Sequence, residues 1–193
     1  MHTSRPARVF LVGMMGSGKT AVGTALARRL GWRYRDNDEQ LRIAAGAAVD
    51  AVAAEVGRDR LHDLEAEQAV LAAQEAPPLV AGLAASVVEH EELWPILRAA
   101  GWCVYLRAAA ATLIARVGTG EGRPWLAANQ SGFIRRTHAR RDPLYLSLAD
   151  AVVDVDNRDP DQVADTVMEQ LEGLRRGAEP AAGVSRRSRR RRP

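Results

Sequence analysis

At 193 residues, 47% hydrophobic and 26% charged, the chain has the make-up of one globular domain, and no apolar run reaches the ~18 residues a membrane span needs. A single cysteine, Cys103, excludes an internal disulfide and fits a reducing, cytoplasmic setting, while the N-terminal apolar stretch is too short and glycine-broken for a secretory signal. Of the 27 basic and 24 acidic residues behind the net charge of +3, six arginines and one glutamate fall in 177–193; residues 1–176 keep 21 basic and 23 acidic side chains, so no specific nucleic-acid partner is expected.

Arg8–Val12 (RVFLV) is short, apolar and followed at once by glycines, which predicts a buried strand. Lys19–Leu30 has helical apolar spacing and stops at Gly31. Trp32–Arg35 is predicted as a second strand, ending in Asp36-Asn37-Asp38. The pattern from Glu39 to Glu75 is helical, broken near Gly46 and Gly57 and closed by Pro77 and Pro78. Leu79–Ala81 reads as a third strand, Glu89–Ala100 as a helix with Pro95 in its early part, Trp102–Leu106 as a fourth strand and Ala108–Val117 as a helix. Glycines, a proline and polar residues over 118–130 predict a mobile loop. Ser131–Arg141 is helical until Pro143 interrupts it; Ala151–Val155 is a fifth strand and Asp161–Leu174 a closing amphipathic helix. Strands alternating with helices of this length predict an α/β fold with a parallel sheet covered on both faces. The expected organisation is one domain over 1–176 and a disordered arginine-rich tail over 177–193, a solvated appendage.

Residues 13–20 (GMMGSGKT) fit G-x-x-x-x-G-K-[ST], after a predicted strand and before a predicted helix. Glycines let such a backbone curl so that successive N–H groups face phosphate oxygens, and the helix N-terminus adds partial positive charge. Gly13, Gly16, Ser17, Gly18, Lys19, Thr20 and Ala21 are the candidate nucleotide-binding residues, with Lys19 reaching the outer phosphates and the Thr20 hydroxyl holding Mg²⁺. Lys19 is the chain's one lysine against 26 arginines. That usage singles out a position where a compact ammonium fits and a planar guanidinium does not. It also precludes a base-reading N-K-x-D motif, which counts against a GTPase.

GMMGSGKTAVGTALARRLGW, DNDEQL, VGRDRLHDLE, GEGRPWL and ARRDPLY, in that order, resemble the shikimate kinase family over roughly residues 8–174. The resemblance implies a P-loop kinase of the nucleoside-monophosphate-kinase type: a five-stranded parallel sheet in three layers, a lid over ATP, and a helical subdomain for the acceptor. It implies ATP and Mg²⁺, a small cyclic acceptor as partner, and a cytoplasmic monomer. Asp36 matches an aspartate that contacts Mg²⁺ through water. Asp38 matches one that grips and helps deprotonate the acceptor hydroxyl; an N-cap for the helix from Glu39 is the other reading of Asp38. Arg123 matches the lid arginine that swings onto the transferring phosphate, and Arg116 and Arg158 match residues near adenine. Arg141 matches the arginine that clasps the acceptor carboxylate, with Arg140 an adjacent competitor.

Two departures fall on the acceptor side. His62 stands where the family has a carboxylate-binding arginine, and Arg58, four residues earlier, is placed to compensate if it shares the helical face. Leu83-Ala84-Ala85, preceded by Gly82, replaces three glycines, with Ala84 as the candidate acceptor contact, so side chains there are expected to narrow the site and to strain any backbone needing positive φ. Three functions stay open: a shikimate kinase with a repacked pocket, a kinase for a different and less anionic polyol, and an ATP-binding paralogue with little catalysis.

Overall fold

The computed structural model describes residues 7–117 and 130–178. Strands β1 (Arg8–Val12), β2 (Arg33–Asp36), β3 (Leu79–Gly82), β4 (Trp102–Arg107) and β5 (Ala151–Asp154) form one sheet in the order β2-β3-β1-β4-β5, with every neighbouring pair parallel. Val9–Val12, all of β3 and Trp102–Leu106 are buried. Successive side chains point to opposite faces, so both faces of these central strands are covered, as a helix–sheet–helix sandwich requires. The edge strands are partly open, β5 alternating buried and exposed.

Helix α1 (Lys19–Leu30) ends on Gly31, which adopts the left-handed conformation that only a side-chain-free residue takes cheaply. Three further helices, α2 (Asn37–Ala45), α3 (Val49–Val56) and α4 (Arg58–Gln74), pack on one another around a small core of Leu41, Val52 and Leu61, separate from the main core. After β3 come two 3₁₀ turns (Val87–Glu89, Glu91–Leu93) and α5 (Trp94–Ala100). Helix α6 (Ala110–Val117) packs on α7 (Gln130–Leu148), and α8 (Pro160–Ala178) packs on α1. The predicted domain boundary after residue 176 falls in the last turn of α8. No described helix is long and apolar enough to cross a membrane.

Three predicted elements differ. Pro143 does not interrupt its helix: α7 runs 19 residues through it. A proline forfeits one N–H, but the flanking residues are held elsewhere: Asp142 accepts from Tyr105 and both arms of Arg107, and Tyr145 stacks on Tyr105 at 4.7 Å. Tertiary packing overrides local propensity there. The helix predicted from Glu89 begins only at Trp94, because Pro95 belongs in a first helical turn, where its missing N–H costs nothing. Helix α2 starts at Asn37 and is capped by Asp36, not Asp38.

From β1 the chain runs to the edge strand β2, returns to β3 between them, then crosses to β4 on the far side of β1. The connections therefore diverge above the carboxyl ends of β1 and β3, where open α/β sheets bind ligands.

Candidate active site

The loop after β1 is set by glycine conformation. Gly13, Gly16 and Gly18 have φ of +150°, +81° and +91°. A Cβ on Gly13 would stand 2.7 Å from the Leu106 carbonyl oxygen, and one on Gly16 2.9 Å from a Val117 methyl. No side chain caps α1 at Gly18, and the first-turn amides of a helix have no acceptor within it. The Lys19 ammonium folds back over the loop and donates to the carbonyl oxygens of Gly13 (2.9 Å) and Met14 (3.1 Å).

Asp36, at the end of β2, divides its carboxylate between two tasks. Oδ1 accepts from the amides of Asp38 (3.0 Å) and Glu39 (3.4 Å), capping α2. Oδ2 accepts from the Thr20 hydroxyl (2.8 Å) and the Tyr34 hydroxyl (2.9 Å). Burial and the neighbouring Asp36 charge push the Tyr34 hydroxyl well above its ordinary range, so it remains a donor. The Tyr34 ring lies against Gly23 and Gly82; a Cβ on Gly23 would stand 2.3 Å from the ring edge.

The far side of the cleft is built by α2, α4, the turn after β3 and α7. Asp38 sits in the first turn of α2. His62 is half-buried on α4, and burial, with Arg141 and Arg58 nearby, pushes its imidazole below its ordinary value. The Arg58 guanidinium lies 4.9 Å from the centre of the Phe133 ring. Glu65 is buried and accepts from the Ser86 hydroxyl. Tyr145 donates to the Ala85 carbonyl oxygen (2.7 Å) and ties α7 to this turn. Arg141 is buried and donates to Glu89 at 2.6 Å.

A profile of the shikimate kinase family matches residues 15–172. The chain is 36% identical over 172 residues to a shikimate kinase of Pseudomonas aeruginosa, covering 86% of this chain and 96% of that one. It is 32% identical over 173 residues to a shikimate kinase of Cupriavidus pinatubonensis, covering 89% of each. The chain belongs to the shikimate kinase family. Its fold is also that of shikimate kinase from Acinetobacter baumannii solved in complex with shikimate, with a TM-score of 0.83 at 24% identity over 89% of this chain and 95% of that one. Family membership makes it a P-loop kinase with ATP as the phosphoryl donor.

For a member of this family, the meeting of the two residue sets matters most. One cleft of about 850 Å³ is lined by Gly16, Gly18, Lys19, Thr20, Ala21, Asp36 and Arg116 on one side and by Asp38, His62, Ala84 and Arg141 on the other. Gly13 and Ser17 support the loop from beneath; the buried Ser17 Oγ has no hydrogen-bond partner among the described residues. Arg116 donates to the carbonyl oxygens of Gly16 (3.5 Å) and Val155 (3.0 Å). Arg158 does not line the cleft: it holds the turn between β5 and α8, donating to the carbonyl oxygens of Asp154 (3.2 Å) and Gln162 (2.7 Å) and to Thr166. Arg123, and with it the predicted loop up to residue 129, lies outside the described residues.

The expected strain at Leu83-Ala84-Ala85 is absent, since Asn157 is the one described non-glycine residue with positive φ. The Leu83 amide donates to the Leu11 carbonyl oxygen (3.0 Å), extending the ladder between β3 and β1, and its side chain is buried in the main core. Phe133 and Ser86, which also line the cleft, were not legible as site residues. Only the position of Phe133 just after the glycine-rich loop hinted at it.

Proposed function

We propose that this chain transfers the γ-phosphoryl group of Mg·ATP to a hydroxyl of shikimate. The observation that carries the reading is the shared cleft: the phosphate loop and the acceptor residues Asp38, His62 and Arg141 line one cavity of about 850 Å³. Phosphoryl transfer needs positioning and charge stabilisation more than covalent help, and the residues divide in that way. The loop amides and Lys19 hold the phosphates; binding draws the ammonium off the Gly13 and Met14 carbonyls. Asp38 orients the acceptor hydroxyl and takes its proton as that oxygen bonds to the γ-phosphorus and the bond to the ADP oxygen breaks. Arg141 anchors the acceptor carboxylate, with Arg58 and His62 beside it. Arg123 supplies lid charge and Arg116 borders the base.

The donor set suits Mg²⁺. Thr20 and Asp36 present hard oxygens 2.8 Å apart beside the loop, and no cluster of three His, Cys, Asp or Glu among the described residues forms a protein-only cage. Mg²⁺ takes few protein ligands when phosphates and water supply the rest. When bound, it neutralises charge on the phosphates. Thr20 and Asp36 are the residues that would hold it. The reading places the enzyme in the cytoplasm as a monomer whose partner is a small molecule.

The test is ADP formation with and without shikimate. Shikimate-dependent turnover is expected, and Asp38→Asn lowers kcat strongly while sparing ATP affinity. Tight Mg·ATP binding with no shikimate-dependent turnover overturns the reading, and a collapse of ATP affinity in Asp38→Asn overturns the role of that residue.

A further inference from the structure

Arg141 reaches the cleft from inside the protein, and a buried guanidinium needs an anionic partner. Here the partner is internal. Glu89, at the end of the 3₁₀ turn after β3, receives Arg141 Nη2 on Oε2 (2.6 Å) and Arg140 Nη2 on Oε1 (2.5 Å). Burial alone would raise the Glu89 carboxyl, but the Arg141 hydrogen bond and the charges of both arginines outweigh it and hold the group below the usual carboxylate range.

The pairing is incomplete in a telling way. Glu89 splits its oxygens between two arginines, so neither gains the two-point fork pairing that guanidinium and carboxylate favour. Arg141 Nε is buried with no hydrogen-bond partner among the described residues. An incoming carboxylate that engages Nε and Nη2 together completes the fork and takes Nη2 from Glu89. Arg140, far more exposed than Arg141, keeps the displaced Glu89 paired. Carboxylates outnumber guanidiniums around this end of the cleft: Arg58 and Arg141 line it with Asp38, Asp50 and Glu65, and the Arg140–Glu89 pair adds one charge of each sign beside it.

We propose that Glu89 is a built-in competitor for the acceptor's carboxylate: it holds Arg141 in the free protein, and a carboxylated acceptor binds by displacing it onto Arg140. The proposal rests on the reading of Arg141 as the acceptor anchor. It makes Glu89 a specificity-determining residue that narrows the preference for a carboxylated acceptor over an uncharged one of the same shape.

The experiment is titration calorimetry on the full chain without nucleotide, using shikimate and the analogue in which its carboxyl group is a primary alcohol. Glu89→Gln keeps the size of the side chain and removes the competing charge. It lowers the Kd for shikimate by about tenfold or more and leaves the Kd for the alcohol nearly unchanged. Arg140→Gln, which removes the landing place for Glu89, raises the Kd for shikimate. An unchanged or higher Kd for shikimate in a folded Glu89→Gln protein overturns the proposal, as does undetectable shikimate binding in both that variant and the wild type. If Glu89→Gln fails to fold, the wild type decides: it prefers shikimate over the alcohol by less than about tenfold, and a preference near a hundredfold overturns the proposal. Binding ratios as expected with no ADP formation would sink the kinase reading and leave this one standing.

Discussion

A methyl group on Gly82 probes how the Asp36 carboxylate is held. A Cβ at this position would stand 2.7 Å from the Tyr34 hydroxyl oxygen, 3.6 Å from Tyr34 Cζ and 3.7 Å from Lys19 Cβ. Only the first distance is a clash. The ring cannot retreat, because Gly23 closes off its other edge. Gly82→Ala therefore forces the hydroxyl off Asp36 or moves β3. Overpacking of this kind costs about 1–3 kcal/mol, partly offset by about 0.4–1 kcal/mol from the stiffer unfolded chain. Tyr34→Phe alone loses a hydrogen bond to a carboxylate, about 1.5–3 kcal/mol at most. The double variant removes the clashing atom and leaves a 3.6 Å contact, so its cost is expected to match that of Tyr34→Phe alone. Urea unfolding of the four proteins gives a coupling energy of about 1 kcal/mol or more, with Mg²⁺ affinity of the nucleotide complex as a second readout. Additive costs would refute the argument, since they would mean that Gly82 and Tyr34 do not meet.

Lys19→Ala is expected to abolish nucleotide-dependent turnover, measured as ADP release; unchanged turnover refutes the role of the ammonium. His62 gives a pH effect with a definite sign. Its folded-state pKa lies below the unfolded value of about 6.5, so the unfolded chain binds the proton more readily between the two. Stability from this group is intact above the unfolded value, falls as pH drops below it, and stops falling beneath the folded value. His62→Gln should therefore lose less stability than the wild type between roughly pH 7 and 5 in urea unfolding, and identical pH dependence would refute the assignment.

The nucleotide side was legible because its signals are local. Strand β1 and helix α1 have the predicted bounds, and the loop between them is fixed by three glycines whose positive φ the motif demands. Pro143 misled because a proline's local cost says nothing of the tyrosine stack and the Arg107–Asp142 pairing around it. Asp36 was legible as the residue that ends β2, but its cap on α2 depended on where that helix begins, a matter of one or two residues. The hydrogen bonds of Arg158 to the turn before α8 were not legible, because no motif announces them. The Glu89–Arg141 pair was out of reach, because its members are 52 residues apart and neither lies in a pattern that names the other.

The two sides of the cleft hold charge by different means, and this decides how freely each can change. The phosphate loop works through backbone amides whose directions require glycine at Gly13, Gly16 and Gly18, two of which also have no room for a Cβ. A substitution there alters the backbone itself. The proposed acceptor side is lined by side chains on α2, α4, α7 and the turn after β3, and the backbone of Leu83-Ala84-Ala85 has no positive φ. A change of side chain there, such as Glu89→Gln, calls for no new backbone conformation. Charge in the proposed acceptor subsite can thus be changed one side chain at a time while the backbone of the phosphate loop stays as it is. On the proposed reading, acceptor selectivity is tuned by the Arg140–Glu89–Arg141 triad, while phosphoryl transfer rests on the loop together with Asp38 and Arg123.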